Sequence, residues 1–151
     1  MPIRESASGV KLSETWYQCD IAIERLNLAR RRLSPGNKAI EGAICLEALL
    51  CPDNNQEITY RLRLRSALLL STGFDERCKI SNDVKAFYNL RSSTVHGTTS
   101  ESKTAQKDEA CAARGLDICA QALRKIVNLN KKFVPEDWEL SGGQPQSPLK
   151  N

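Results

Sequence analysis

The chain has 151 residues, with 22 Lys and Arg against 18 Asp and Glu for a net charge of +4, and 5% aromatic residues. That length suits one domain with a proper core and is short for two, and so mild a positive balance tolerates a polyanion without announcing one. No stretch approaches the ~20 apolar residues that a membrane span requires and the N-terminus lacks an apolar leader, so the expected location is cytoplasmic with no membrane contact.

Leu, Ile and Ala carry the apolar content at helical spacing, strand-like alternation is absent and no internal repeat is visible. The expected fold is all-α, an antiparallel helical bundle of about five helices over residues 13–140. A flexible lead-in of residues 1–12 precedes it. Residues 141–151, rich in Gly, Pro, Gln and Ser, have the composition of a disordered tail or a linker.

Ser13 is placed to cap the first helix, with Leu12 and Tyr17 as a hydrophobic staple, and Trp16, Cys19, Ala22, Ile23, Leu26, Ala29 and Leu33 form its stripe. At its end Arg30-Arg31-Arg32 either meets phosphate or complements the helix dipole as a solvated face. Ser34-Pro35-Gly36 stops the helix, and Asn37 is a cap for a second one over residues 38–51. Its stripe of Ile40, Ala43, Ile44 and Cys51 also contains Glu47, and Pro52 closes it. Asn54 with Glu57 resembles a capping box for a third helix over residues 55–72, where Ile58, Leu62 and Leu69 share their line with Arg65. A charge on each of two consecutive apolar stripes predicts a buried Glu47–Arg65 pair, serving fold specification or, for Glu47, direct catalysis.

Gly73 ends the third helix, and Phe74 to Ile80 reads as a solvated connection because Asp75, Glu76, Arg77 and Lys79 alternate in sign. Ser81 caps a fourth helix with Asp83 in its first turn and Val84, Phe87 and Tyr88 on its buried side. A polar loop from Thr98 to Lys103 leads into the longest helix, from Ala105 to Lys132, with Ala112, Leu116, Cys119, Ala120, Leu123, Ile126, Val127 and Leu129 on one broad face. Pro135 ends it, and Trp138 is placed to pack back. The six cysteines form no Cys-x-x-Cys pair and have one histidine to assist them, so free and mostly buried thiols are expected.

Chemistry concentrates in Tyr88-Asn-Leu-Arg-Ser-Ser-Thr-Val-His-Gly97, which holds the only histidine. Arg91 and His96 stand five positions apart, about 140° on a regular helix. They converge only if the helix unwinds through Ser92-Ser93-Thr94, whose hydroxyls compete for backbone partners, before Gly97 stops it. Imidazole can take the 2′-hydroxyl proton of RNA or protonate the leaving oxygen, while guanidinium stabilises charge on the phosphoryl oxygens, with no metal or cofactor required. One histidine cannot easily be both acid and base. A two-fold homodimer that sets two such motifs opposite each other supplies both groups. The plain alternative makes His96 a helix cap or surface residue and Arg91 a dipole partner.

This stretch resembles the R-x4-6-H motif of the HEPN (higher eukaryote and prokaryote nucleotide-binding) superfamily, and its wording is most similar to the Apea-like branch. Upstream, Ile44-Cys-Leu-Glu-Ala-Leu-Leu50 and Tyr60-Arg-Leu-Arg-Leu-Arg-Ser-Ala-Leu-Leu-Leu70 are similar to that branch's Leu-Glu-x-Leu and Arg-x-Ala-Leu-Leu helices. The resemblance spans roughly residues 38–130. It implies a HEPN-like bundle, usually homodimeric, acting as a metal-independent endoribonuclease in toxin or antiviral defence systems. RNA is then the substrate, and an antitoxin or a larger defence protein is a further partner.

Carried over by position, Arg91 and His96 are the catalytic pair. Many active members place Asn, Asp or His directly after the arginine. Here Ser92 stands there, able to donate one hydrogen bond to phosphate as a substrate-binding residue. The alternative is a non-catalytic HEPN module that binds RNA or nucleotide, or that serves as an interaction domain in a defence or signalling assembly. A helical interaction domain with no nucleic-acid role is the third reading.

Overall fold

The structure, a computed structural model, describes residues 13–52, 56–98, 105–129 and 133–143. These form an all-α bundle of α1 (Ser13–Arg31), α2 (Pro35–Leu50), α3 (Ile58–Leu70), α4 (Phe74–Val95), α5 (Ala105–Asn128) and the short α6 (Pro135–Leu140). No strand occurs among the described residues, and no helix there is long and apolar enough to cross a membrane. The expected lead-in of residues 1–12, Asn54 of the capping box, loop residues 99–103, helix residues 130–132 and the tail beyond Gly143 lie outside the described residues.

The bundle is built around α2, which touches α1, α3, α4 and α5. Burial on several sides explains why its composition fits no single stripe: Gly36, Ala39, Gly42, Ala43, Cys45, Leu46, Leu49 and Leu50 are all buried. The small residues let neighbours approach closely. Phe87 of α4 is fully buried with its ring against Gly42 on one side and Gly115 of α5 on the other, and a Cβ at either glycine would overlap that ring. Gly36 meets Thr94 of α4 in the same way, so the start of α2 lies against the end of α4. Lys38 of α2 pairs with Glu109 near the start of α5.

Among the α1 residues whose burial is described, Cys19, Ala22, Leu26 and Ala29 are buried, a narrow seam of the kind one main helical neighbour can cover. Trp16, Ile23 and Leu33, expected on the stripe, are exposed. Cys19, Cys45, Cys51, Cys111 and Cys119 are free and buried and Cys78 is free and exposed, as the spacing predicts. Burial pushes the thiols of Cys19, Cys51, Cys111 and Cys119 up.

Four helix boundaries differ from the sequence reading: α5 ends at Asn128 and Pro135 opens α6 rather than closing α5, and the other three differ for local reasons. Pro35 begins α2 rather than ending α1: Ser34 is the cap, its hydroxyl accepting from the Asn37 N–H at 3.2 Å. Pro at the first helical position costs no hydrogen bond, because that N–H has no partner within the helix anyway. At α3, Glu57 stands at the cap position rather than in the first turn, at φ 52 in the left-handed region and without a side-chain cap bond. Phe74 to Ile80 is helical, the first two turns of α4, with Asp75 and Glu76 complementing the dipole at its N-terminus. Exposed charges at Asp75, Glu76 and Lys79 suit a solvated helical turn as well as a loop, while Arg77 is half-buried.

Arg65 is buried, as its place in the stripe predicts, but its acid is not Glu47. Its Nε donates to Glu139 of α6 at 2.5 Å and its Nη1 to the Leu50 carbonyl at 2.5 Å. The guanidinium thus caps the C-terminus of α2 and anchors α6 at once, a double duty that consecutive-helix spacing does not disclose. Trp138 packs back as expected, its ring 5.9 Å from that of Phe133. Order extends slightly past the expected domain end: Arg77 donates to the Gly142 carbonyl at 2.8 Å, and Gly143 is buried against the Leu68 carbonyl.

A second buried charge, Glu41, was not singled out by the sequence. It is 5% exposed and accepts from Arg32 at 2.6 Å and from Arg25 at 3.2 Å. The bonded Arg32 guanidinium holds its carboxyl below the usual carboxylate value, outweighing the opposing effect of burial, with Arg25 adding to it. A lowered folded-state value means that this cluster's stabilisation is fully present above the unfolded-state pKa. It is lost as pH falls through the folded-state value. Acid titration followed by circular dichroism is expected to show Glu41→Gln less stable than wild type at neutral pH, the difference closing below the ordinary carboxylate range.

Candidate functional site

The C-terminal half of α4 carries the motif. Helix α4 does not unwind through Ser92-Ser93-Thr94, in contrast to the expectation: it runs regularly to Val95. The hydroxyls that were expected to compete with the backbone instead bond back into it, Ser93 Oγ to the Asn89 carbonyl at 3.0 Å and Thr94 Oγ1 to the Leu90 carbonyl at 2.8 Å. Such bonds are compatible with an intact helix, and the packing of Thr94 on Gly36 holds this turn in place.

The helix then stops on a Schellman arrangement. Gly97 takes φ +67, the Gly97 N–H donates to the Thr94 carbonyl at 3.2 Å and the Thr98 N–H to the Ser93 carbonyl at 3.0 Å. Glycine accepts that left-handed φ without Cβ strain, which is the role its position predicts. His96 is the cap residue, its N–H donating to the Ser92 carbonyl at 3.0 Å. Its imidazole is exposed, and no described side chain bonds to it.

Arg91 is half-buried, its guanidinium carbon 5.3 Å from the centre of the Tyr88 ring. Tyr88 in turn donates its hydroxyl to Glu47 at 3.0 Å, so the half-buried Glu47 belongs to the motif and not to a pair with Arg65. Burial, then the charge and hydrogen bond of Glu47, push the Tyr88 phenol up and keep it a neutral donor. Ser92 is half-buried between the two motif residues. The regular helix leaves Arg91 and His96 about 140° apart around its axis. One chain therefore does not bring them onto one face.

The surroundings of this helix end are basic. The contact of Gly36 with Thr94 places the α1–α2 turn beside it, with Arg30 and Arg31 exposed at the end of α1. All three arginines are exposed, but Arg32 is paired with Glu41, which leaves Arg30 and Arg31 as the two not engaged by it. The Lys38–Glu109 pair brings the first turns of α5, with exposed Lys107, to the same pole. Leu33, 96% exposed, and Val95, 53% exposed, lie at this pole too. No three His, Cys, Asp or Glu side chains gather to hold a metal ion among the described residues. Comparisons with protein-family models, with curated proteins and with solved structures return no match.

Proposed function

We propose that the chain is a metal-independent endoribonuclease of HEPN type, working as a homodimer in a toxin or antiviral defence role. The observation that carries the reading is the pole at the end of α4: an exposed His96 on a fixed helix cap, Arg91 just over a turn before it, and Arg30, Arg31 and Lys107 around them. Cations disposed in this way attract a polyanion and fix its backbone. In the reaction, His96 takes the 2′-hydroxyl proton and the 2′-oxygen attacks phosphorus. The 5′-oxygen leaves with a proton from the partner's His96, and Arg91 stabilises the charge on the phosphoryl oxygens. The products carry a 2′,3′-cyclic phosphate and a 5′-hydroxyl. Ser92 assists in placing the phosphate. Exposed Leu33 and Val95 beside the motif offer apolar area for a second copy to cover.

A non-catalytic HEPN module that binds RNA or nucleotide, or that docks in a larger defence assembly, is the second reading. The observations favouring it are the stacking of Arg91 on Tyr88 and the serine that follows it. Incubating the protein with tRNA and mRNA in EDTA, with the product ends mapped, separates the two. The nuclease reading expects cyclic-phosphate ends and a specific activity that falls on dilution below the dimer's dissociation constant. Intact RNA, or cleavage restored only by added metal, rejects it.

A further inference from the structure

Glu47 and Tyr88 sit on different helices and join at a single hydrogen bond to the phenol oxygen, with the Arg91 guanidinium over a face of the ring. Tyr88 and Arg91 are three residues apart on α4, so the ring and the guanidinium share a helix face by construction. The face of the ring is electron-rich and attracts the guanidinium, and a carboxylate accepting a hydrogen bond from the phenol raises the electron density of the ring. Glu47 is also the one acid in the Ile44 to Leu50 segment, at a half-buried place where a leucine would pack without a polar partner. Arg65 is already matched by Glu139, which leaves Glu47 for Tyr88.

We propose that Glu47 and Tyr88 are positioning residues for Arg91: Glu47 fixes the phenol ring, and the ring fixes the guanidinium in the orientation in which it meets the scissile phosphate. The inference rests on the nuclease reading for its catalytic consequence but not for its geometry. Positioning of this kind acts on the transition state, because a loosened guanidinium still attracts RNA but no longer meets the phosphoryl oxygens in register. Glu47 itself touches no substrate, so its loss is felt only through Tyr88.

The test uses the full chain with Tyr88→Leu, Tyr88→Phe and Glu47→Gln. Ring-current shifts of the Arg91 side-chain protons in NMR spectra report the stacking without reference to activity. They are expected in wild type, reduced in Tyr88→Phe and in Glu47→Gln, which remove or weaken the hydrogen bond that fixes the ring, and lost in Tyr88→Leu. Single-turnover cleavage is expected to fall about tenfold in Tyr88→Leu with KM little changed. Tyr88→Phe, which keeps the ring but not its hydrogen bond to Glu47, should recover only part of that loss. Should Tyr88→Leu fail to fold, Glu47→Gln supplies the comparison by both readouts. Arg91 shifts that are the same in wild type and the variants, or a kcat unchanged when the stacking is lost, overturn the proposal. If the wild type cleaves no RNA, the nuclease reading falls, and the NMR comparison alone decides whether Tyr88 anchors Arg91.

Discussion

Glu139→Ala is expected to destabilise the fold by about 3 kcal/mol, because it strands a cation that is buried. The Arg65 side chain is 1% exposed, and Glu139 is the carboxylate that neutralises it. Without Glu139 the guanidinium keeps only the Leu50 carbonyl and a long contact to the Cys51 sulfur at 3.8 Å, while its Nη2 already lacks a partner among the described residues. The reverse change is gentler. The Glu139 side chain is 29% exposed, so in Arg65→Met its carboxylate can take up water, and the methionine fills the space left by the arginine stem. Chemical denaturation of both single variants and the double variant should therefore show Arg65→Met recovering part of the stability that Glu139→Ala loses. For a domain whose total stability is about 5–15 kcal/mol, a loss of about 3 shifts the unfolding midpoint plainly.

Arg91→Ala is expected to lower single-turnover RNA cleavage by about 10²–10³-fold, the effect typical of removing one donor that meets charge developing in a transition state. Arg91→Lys should recover little of it. A lysine keeps the charge but lacks the planar fork that stacks on Tyr88 and meets two phosphoryl oxygens together. RNA binding, measured at low salt where phosphate contacts are strongest, should weaken far less than cleavage, because Arg30, Arg31 and Lys107 remain at the same pole. Cleavage and binding falling together would instead identify Arg91 as an ordinary phosphate contact.

The periodicity of apolar residues was sufficient for the helical class and for most of the buried lines of α3 and α5, where Leu62, Arg65, Leu69, Ala112, Cys119 and Ile126 are all buried, although Val127, expected on the α5 face, is exposed. It was weaker where burial does not follow one stripe. Helix α2 is packed from several sides, so Glu41, which faces Arg25 of α1 and Arg32 just beyond its end, carried no distinguishing period. Pairing was the least legible feature. Glu47 and Arg65 lie on consecutive helices, yet their partners come from α4 and α6, 41 and 74 residues away in sequence. No spacing rule reaches that far.

Within the motif, residue identity announced the stop at Gly97 but not the course of the helix before it. Ser93 and Thr94 have hydroxyls that can either break a helix or bond back to the preceding turn, and the contact between Thr94 and Gly36 favours the second. This outcome bears on function. An unwound segment would have let one chain bring Arg91 to His96. A regular helix separates them, and the nuclease reading then depends more heavily on a second copy meeting this pole.

His96 is the group on which the proposed chemistry turns, since it is the only histidine and the only imidazole that can move a proton at the site. The direct measurement is the single-turnover cleavage rate of one RNA in EDTA by wild type and by His96→Ala, each shown to be folded and in the same oligomeric state. A rate at least about 100-fold lower in the variant is the predicted result. Equal rates would contradict the proposed mechanism.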